Sequence, residues 1–173
     1  GSNEIFYGEN DEIWKADSQF RPLKKLTSGT NIQGLFPSPD GKYVAFARNE
    51  KMSEPRQEGN ITVTDILEIG VYVAKTDGSG FFRVKIPEAY RYKNDYFETW
   101  YSKGDKLLVS SDINAAGSRV FWEFDPEEQT TKRFYRFTTR QPYTDGEPAP
   151  VTSPTVTKFV YVEHGGNHEG WVY

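Results

Sequence analysis

Pro37-Ser38-Pro39-Asp40-Gly41-Lys42-Tyr43-Val44-Ala45-Phe46 joins a tight turn to a short apolar strand. Pro39 presets φ, while Asp40 and Gly41 tolerate turn geometry. Tyr43–Phe46 then supplies the aromatic and β-branched side chains that fit a pleated, half-buried surface. A second strand, Val71-Tyr72-Val73-Ala74, follows after an intervening polar stretch and runs into Asp77-Gly78-Ser79-Gly80, which reads as a hairpin turn. Phe82-Arg83-Val84-Lys85-Ile86 closes the unit as an alternating basic and apolar strand, with its cations guarding an outer edge.

The unit recurs. Tyr101-Ser102-Lys103-Gly104-Asp105-Lys106-Leu107-Leu108-Val109-Ser110 aligns with 37–46, and a degraded copy covers 152–161. The second half recurs as Ile13-Trp14-Lys15-Ala16-Asp17, Val71–Lys75, Val120-Phe121-Trp122-Glu123-Phe124 and Trp171-Val172-Tyr173. These begin at residues 13, 71, 120 and 171, so the spacings are 58, 49 and 51. A period of about 40–50 residues is that of propeller blades. Pro22–Thr27 and Lys132–Phe137 take the place of the outer strand in the other copies.

The 173 residues suit one domain and bury about 70% of the unfolded surface. Aromatics are 16% of the chain, with 15 Gly and 10 Pro, and long runs of helix formers are missing, which favours short strands and many turns. No segment has the roughly 18 consecutive apolar residues of a membrane helix. The net charge of −4 argues against nucleic acid as a partner. The lack of cysteine excludes disulfides, thiolate nucleophiles and thiolate-bound metals.

Ser38-Pro39-Asp40-Gly41-Lys42 before Val44-Ala45-Phe46, and Val71-Tyr72-Val73 before Asp77-Gly78, resemble the WD-like repeat of TolB-type β-propellers. Propeller domains of prolyl oligopeptidase and dipeptidyl peptidase relatives carry similar repeats. The resemblance implies an all-β chain of four-stranded antiparallel blades, about three and a half of them. The expected division is a partial blade over 3–34, a blade over 35–96, a blade over 97–148 and a partial blade over 149–173. Closed propellers have 4–8 blades, so the chain is expected to be part of a larger ring, completed by missing chain or a second polypeptide. The resemblance also implies an exported bacterial protein, periplasmic or extracellular.

In an up-and-down blade with strands A to D, the A–B and C–D turns share one face, and the B–C and D–A connections share the other. The short turns here belong to the first face. The long connections, expected to be irregular, belong to the second: Arg48 to about Asn60 and His164–Gly170 (B–C), Pro87–Asp95 and Thr139–Pro150 (D–A). Long loops gathered on one face of a rigid scaffold are where binding is usually located. Tyr90, Tyr92 and Tyr143 are suited to stacking there, and Arg48, Arg56, Arg91 and Arg140 to pairing carboxylates. Trp14, Trp100 and Trp122 read as blade packing. His164 and His168, in His-Gly-Gly-Asn-His, are the remaining ligand candidates, but the glycines argue against a helix, so no metal is expected.

No nucleophile elbow and no phosphate-binding Gly-Lys-Ser/Thr loop is present, so no catalytic set and no cofactor are expected. The reading is a non-enzymatic binding module that takes a protein, peptide or glycan on the long-connection face. The alternative is the propeller of a larger peptidase-like enzyme whose catalytic residues lie outside this chain.

Overall fold

The computed structural model describes residues 4–29, 31–87, 94–101, 105–112, 119–136, 151–152, 159–160, 162–164 and 170–172. All regular elements among them are β-strands, and the two four-stranded sheets run antiparallel in sequence order, as in blades of a β-propeller. The chain divides into two compact units: Gly1–Pro37 with Lys42–Arg83, and Ser38–Gly41 with Val84–Tyr173.

The first unit opens with a three-stranded meander of β1 (Ile5–Glu9), β2 (Glu12–Ala16) and β3 (Pro22–Ser28). A four-stranded sheet follows, built from β4 (Ile32–Pro37), β5 (Tyr43–Met52), β8 (Ile66–Lys75) and β9 (Phe81–Arg83). β5 and β8 are antiparallel neighbours, with Val44 opposite Ala74, Ala45 opposite Val73 and Phe46 opposite Tyr72. Tyr43, Val44, Ala45 and Phe46 are all buried, which marks β5 as a central strand covered on both sides. The core joins Ile13 and Leu26 of the meander to Val44, Phe46 and Ala74 of the four-stranded sheet, with Phe6, Ile32, Leu35 and Tyr72 packed around them. Burying an aliphatic or phenyl side chain of this kind contributes about 1.5–3 kcal/mol.

The B–C connection departs from the expected irregular loop. β5 runs on through Arg48, Asn49, Glu50 and Lys51 to Met52, which pairs with Ile66. Beyond that pair, β6 (Arg56–Glu58) and β7 (Ile61–Val63) form a small hairpin with Gly59 at φ 65° in its turn. The polar run is held as a strand because an apolar partner strand is available to it. The base of the arm is closed by Ser53 N–H donating to Asp65 O at 2.9 Å and Asp65 N–H donating to Ser53 Oγ at 2.9 Å.

The second unit holds the sheet of β10 (Asp95–Tyr101), β11 (Lys106–Asp112), β12 (Arg119–Asp125) and β13 (Thr130–Arg136). Leu107 faces Phe124 and Leu108 faces Glu123, the same pairings that Tyr43–Lys75 and Val44–Ala74 make at the aligned positions. Trp100 and Trp122 are buried packing residues, and Trp122 Nε1 donates to Ser111 Oγ at 3.0 Å. Trp14, in the first unit, is half-buried, with the Lys25 ammonium 5.9 Å from its ring centroid. The Asp125 carboxylate caps its turn by accepting the Glu127 and Glu128 N–H groups at 2.9 and 3.1 Å. Short strands β14 (Val151–Thr152), β15 (Phe159–Val160), β16 (Val162–His164) and β17 (Gly170–Val172) pair as β14 with β15 and β16 with β17.

Candidate functional site

The upper end of the β5–β8 hairpin and the connection from β3 to β4 meet within the first unit, where a B–C connection and a D–A connection are expected to share a face. One backbone bond, from Asn49 N–H to Asn31 O, ties them together, and the β1–β2 turn at Asp11 holds the connection through two more hydrogen bonds. Asp11 O accepts from Gly29 N–H at 3.0 Å, Asp11 Oδ1 accepts from Asn31 N–H at 2.9 Å, and Asn31 O accepts from Asn49 N–H at 3.1 Å. An open cavity of about 440 Å³ lies here, lined by Asn31, Arg48, Asn49, Glu50, Met52 and Tyr72. Its size is in the range of about 300–1,000 Å³ typical of ligand pockets.

Strand geometry places these side chains. Alternation puts Arg48 on the same side as Phe46, and Gly70 lies opposite Arg48. The ladder then shifts: Asn49 pairs with Ile69 and Lys51 with Glu68, so Glu50 has no residue opposite it. An extra residue of this kind re-aims its side chain. The Glu50 carboxylate accepts the Tyr72 hydroxyl at 2.7 Å and Arg83 Nη2 at 2.9 Å, with Arg83 Nε as a further donor. It lies across Gly70, where a Cβ would fall 2.5 Å from Glu50 Oε1. Gly29 gives similar clearance to Arg48, whose Cζ would lie 3.2 Å from an added Cβ.

Tyr72 is the hub of the cavity wall. Its ring stacks on Phe46 at 5.5 Å, meets Phe81 at 6.3 Å, and lies 5.8 Å from the Arg48 guanidinium. Burial, then the hydrogen bond to Glu50 and its charge, push the Tyr72 hydroxyl above the usual tyrosine range, so it remains a proton donor at neutral pH. Asn49 is only 8% exposed, and its Oδ1 has no hydrogen-bond partner among the described residues.

Of the residues expected from sequence, Arg48 lines this cavity. Arg56 does not: it is exposed on the β6–β7 arm, bonded to Glu58 at 2.9 Å and to the Asp65 carboxylate. Its guanidinium pKa is raised, first by the hydrogen bond it donates to Asp65, and the same bond lowers that of Asp65. His164 falls in β16, opposite Gly170. Tyr90, Arg91, Tyr92, Arg140, Tyr143 and His168 lie outside the described residues. Asn31, Asn49, Glu50, Met52 and Tyr72 complete the site without having been singled out from sequence. The described residues contain no group of three or more His, Cys, Asp or Glu placed to hold a metal ion, and no helix long and apolar enough to cross a membrane.

No protein-family model and no curated protein matches the chain. Among solved structures it is similar to TolB from Acinetobacter baumannii, with a TM-score of 0.53 and 18% sequence identity. The likeness covers 98% of this chain and 36% of that one, so the chain spans about a third of the TolB length. At this identity the likeness concerns the fold alone, and the fold is TolB-like: four-stranded antiparallel sheets in the manner of part of a β-propeller.

Proposed function

We propose that the chain is a propeller-type binding module that takes a protein, peptide or glycan ligand on the face carrying the B–C and D–A connections. The observation that supports this most is the cavity at the end of the β5–β8 hairpin, where Arg48, Asn49 and Tyr72 converge beside the β3–β4 connection. An exported bacterial location, periplasmic or extracellular, belongs to the same proposal and rests on the TolB-like resemblance.

The test uses a displayed random-peptide library and a glycan array as probes. The unmodified protein is compared with Arg48→Ala and with a variant in which Ser53–Asp65 is replaced by Asn-Gly. That replacement keeps the Met52–Ile66 pair and removes only residues outside the core, so circular dichroism and thermal unfolding should change little. Retained probes are expected to be lost or weakened in both variants. Probes bound equally well by all three proteins, or no retained probe from either source, would overturn the proposal.

A further inference from the structure

The tip of the β6–β7 arm carries a sequence pattern that the cavity does not use. Asn60-Ile61-Thr62 is an asparagine followed two residues on by a hydroxyl amino acid, with a residue other than proline between them. Of the asparagines in the chain, only Asn60 has serine or threonine at that place. Such a triplet also arises by chance, so its position in the fold decides what it can do.

The fold presents it to solvent. Gly59 and Asn60 are the two turn residues between Glu58 and Ile61, which pair across the hairpin. Gly59 takes φ 65°, so glycine carries the left-handed conformation of the turn. Asn60, Ile61 and Thr62 are all exposed. Thr62 Oγ1 accepts from Gln57 Nε2 at 2.7 Å, a bond that leaves the hydroxyl proton for an enzyme to read. Glu58, two residues before Asn60, offers a carboxylate to a cationic enzyme subsite. Its bond to Arg56 at 2.9 Å joins two exposed groups, contributes little, and is readily exchanged for another cation.

The arm also opens independently of the sheets. None of residues 53–65 is buried, and none belongs to the core that joins the meander to the four-stranded sheet. A lone two-stranded hairpin is marginal in water, and segments with few buried contacts open locally while the rest stays folded. The triplet can therefore straighten into an enzyme groove without unfolding the domain.

We propose that Asn60 is an acceptor for N-glycosylation. Asn60 Nδ2 attacks the anomeric carbon of a sugar diphosphate. The bond from that carbon to Nδ2 forms, and its bond to the diphosphate oxygen breaks. The electron pair leaves on the diphosphate, and one amide proton passes to a carboxylate of the transferase. The leaving group is a lipid diphosphate at a membrane transferase or a nucleoside diphosphate at a soluble one. The proposal does not depend on the cavity having a ligand.

The folded full chain is incubated with a membrane oligosaccharyltransferase and a lipid-linked oligosaccharide. It is incubated separately with a soluble N-glycosyltransferase and a nucleoside-diphosphate sugar. Intact mass and the tryptic peptide over 57–75 report the product. One glycan per chain is expected on that peptide, lost in Asn60→Gln and Thr62→Val, kept in Thr62→Ser, and added several-fold more slowly in Glu58→Gln. The substitutions lie outside the core, so circular dichroism should be unchanged. A synthetic peptide over 54–66 reads the same substitutions free of folding. Product in either arm supports the acceptor, and product with the nucleoside-diphosphate sugar alone would count only against the exported location. A folded chain left unmodified in both arms would overturn the proposal, whether the free peptide is modified or not. So would a glycan that persists in Thr62→Val. A Glu58→Gln variant modified at the full rate would overturn the part assigned to that carboxylate.

Discussion

Replacing Gly70 by alanine tests how the cavity wall is built. At an ordinary strand position this change stabilises by about 0.4–1 kcal/mol, because alanine has less backbone freedom to lose on folding. Here the new Cβ would lie 2.5 Å from Glu50 Oε1, 2.6 Å from Cδ and 3.0 Å from Oε2. The Glu50 side chain can rotate away, so the cost is set by the bonds it gives up: the Tyr72 hydroxyl at 2.7 Å and the Arg83 guanidinium at 2.9 Å. Hydrogen bonds to a charged group contribute about 1.5–3 kcal/mol each. Partial rehydration of Glu50 and Arg83, whose side chains are 17% and 25% exposed, recovers some of that. A net loss of about 1–3 kcal/mol follows, which lowers Tm by roughly 2–10 °C in a chain of this size. Urea and thermal unfolding of Gly70→Ala, Glu50→Ala and the double variant measure it. In the Glu50→Ala background the alanine at 70 has nothing to displace and should be neutral or stabilising, so the two changes couple strongly. Gly70→Ala as stable as the unmodified protein, or additive with Glu50→Ala, would refute the reasoning.

Two pH dependences follow from the second unit. The Tyr101 hydroxyl donates to Glu123, and burial, reinforced by that carboxylate, pushes its pKa well above the ordinary value of 10.0. The unfolded chain ionises this tyrosine first, so its contribution to stability is complete below the unfolded pKa and is lost as pH rises beyond it. The thermal midpoint of the unmodified protein should therefore fall more steeply than that of Tyr101→Phe between about pH 9 and 11, and parallel curves would count against the assignment. Asp125 behaves oppositely. Burial raises its pKa, but the bonds from Lys106 and from the Glu128 and Glu127 N–H groups outweigh it, and the net shift is downward. Its contribution is present above the unfolded carboxylate pKa, about 3.9, and is lost as pH falls through the lower folded value. Asp125→Asn should flatten the acid limb of a stability–pH curve, and an unchanged limb would contradict it.

The strands of the blades were legible because local signals and tertiary pairing agree there. Pro39-Asp40-Gly41 before Tyr43–Phe46 fixes where β5 starts, and Asp77–Gly80 fixes where β8 stops. The continuation of β5 through Arg48-Asn49-Glu50-Lys51 was not legible. Those residues have weak strand preference, and they pair only because Ile66–Ile69 lies opposite them. One signal was present and passed over: Gly59-Asn60 between two short polar-apolar runs is a hairpin turn pattern. Arg48 was recognisable as a cation on the proposed binding face. Glu50 and Tyr72 were not, because their meeting depends on the register shift at Glu50 and on the small volume of Gly70. That Arg56 pairs with Glu58 and Asp65 within the same arm was not legible for a related reason, since it depends on the β6–β7 hairpin.

The binding-face assignment is tested most directly by backbone amide NMR during titration with a library-selected peptide. The predicted shift changes cluster at Asn31, Arg48–Met52 and Ile66–Tyr72, around the cavity. Changes confined to Ser38–Gly41 and Asp77–Gly80, the turns of the opposite face, would contradict it.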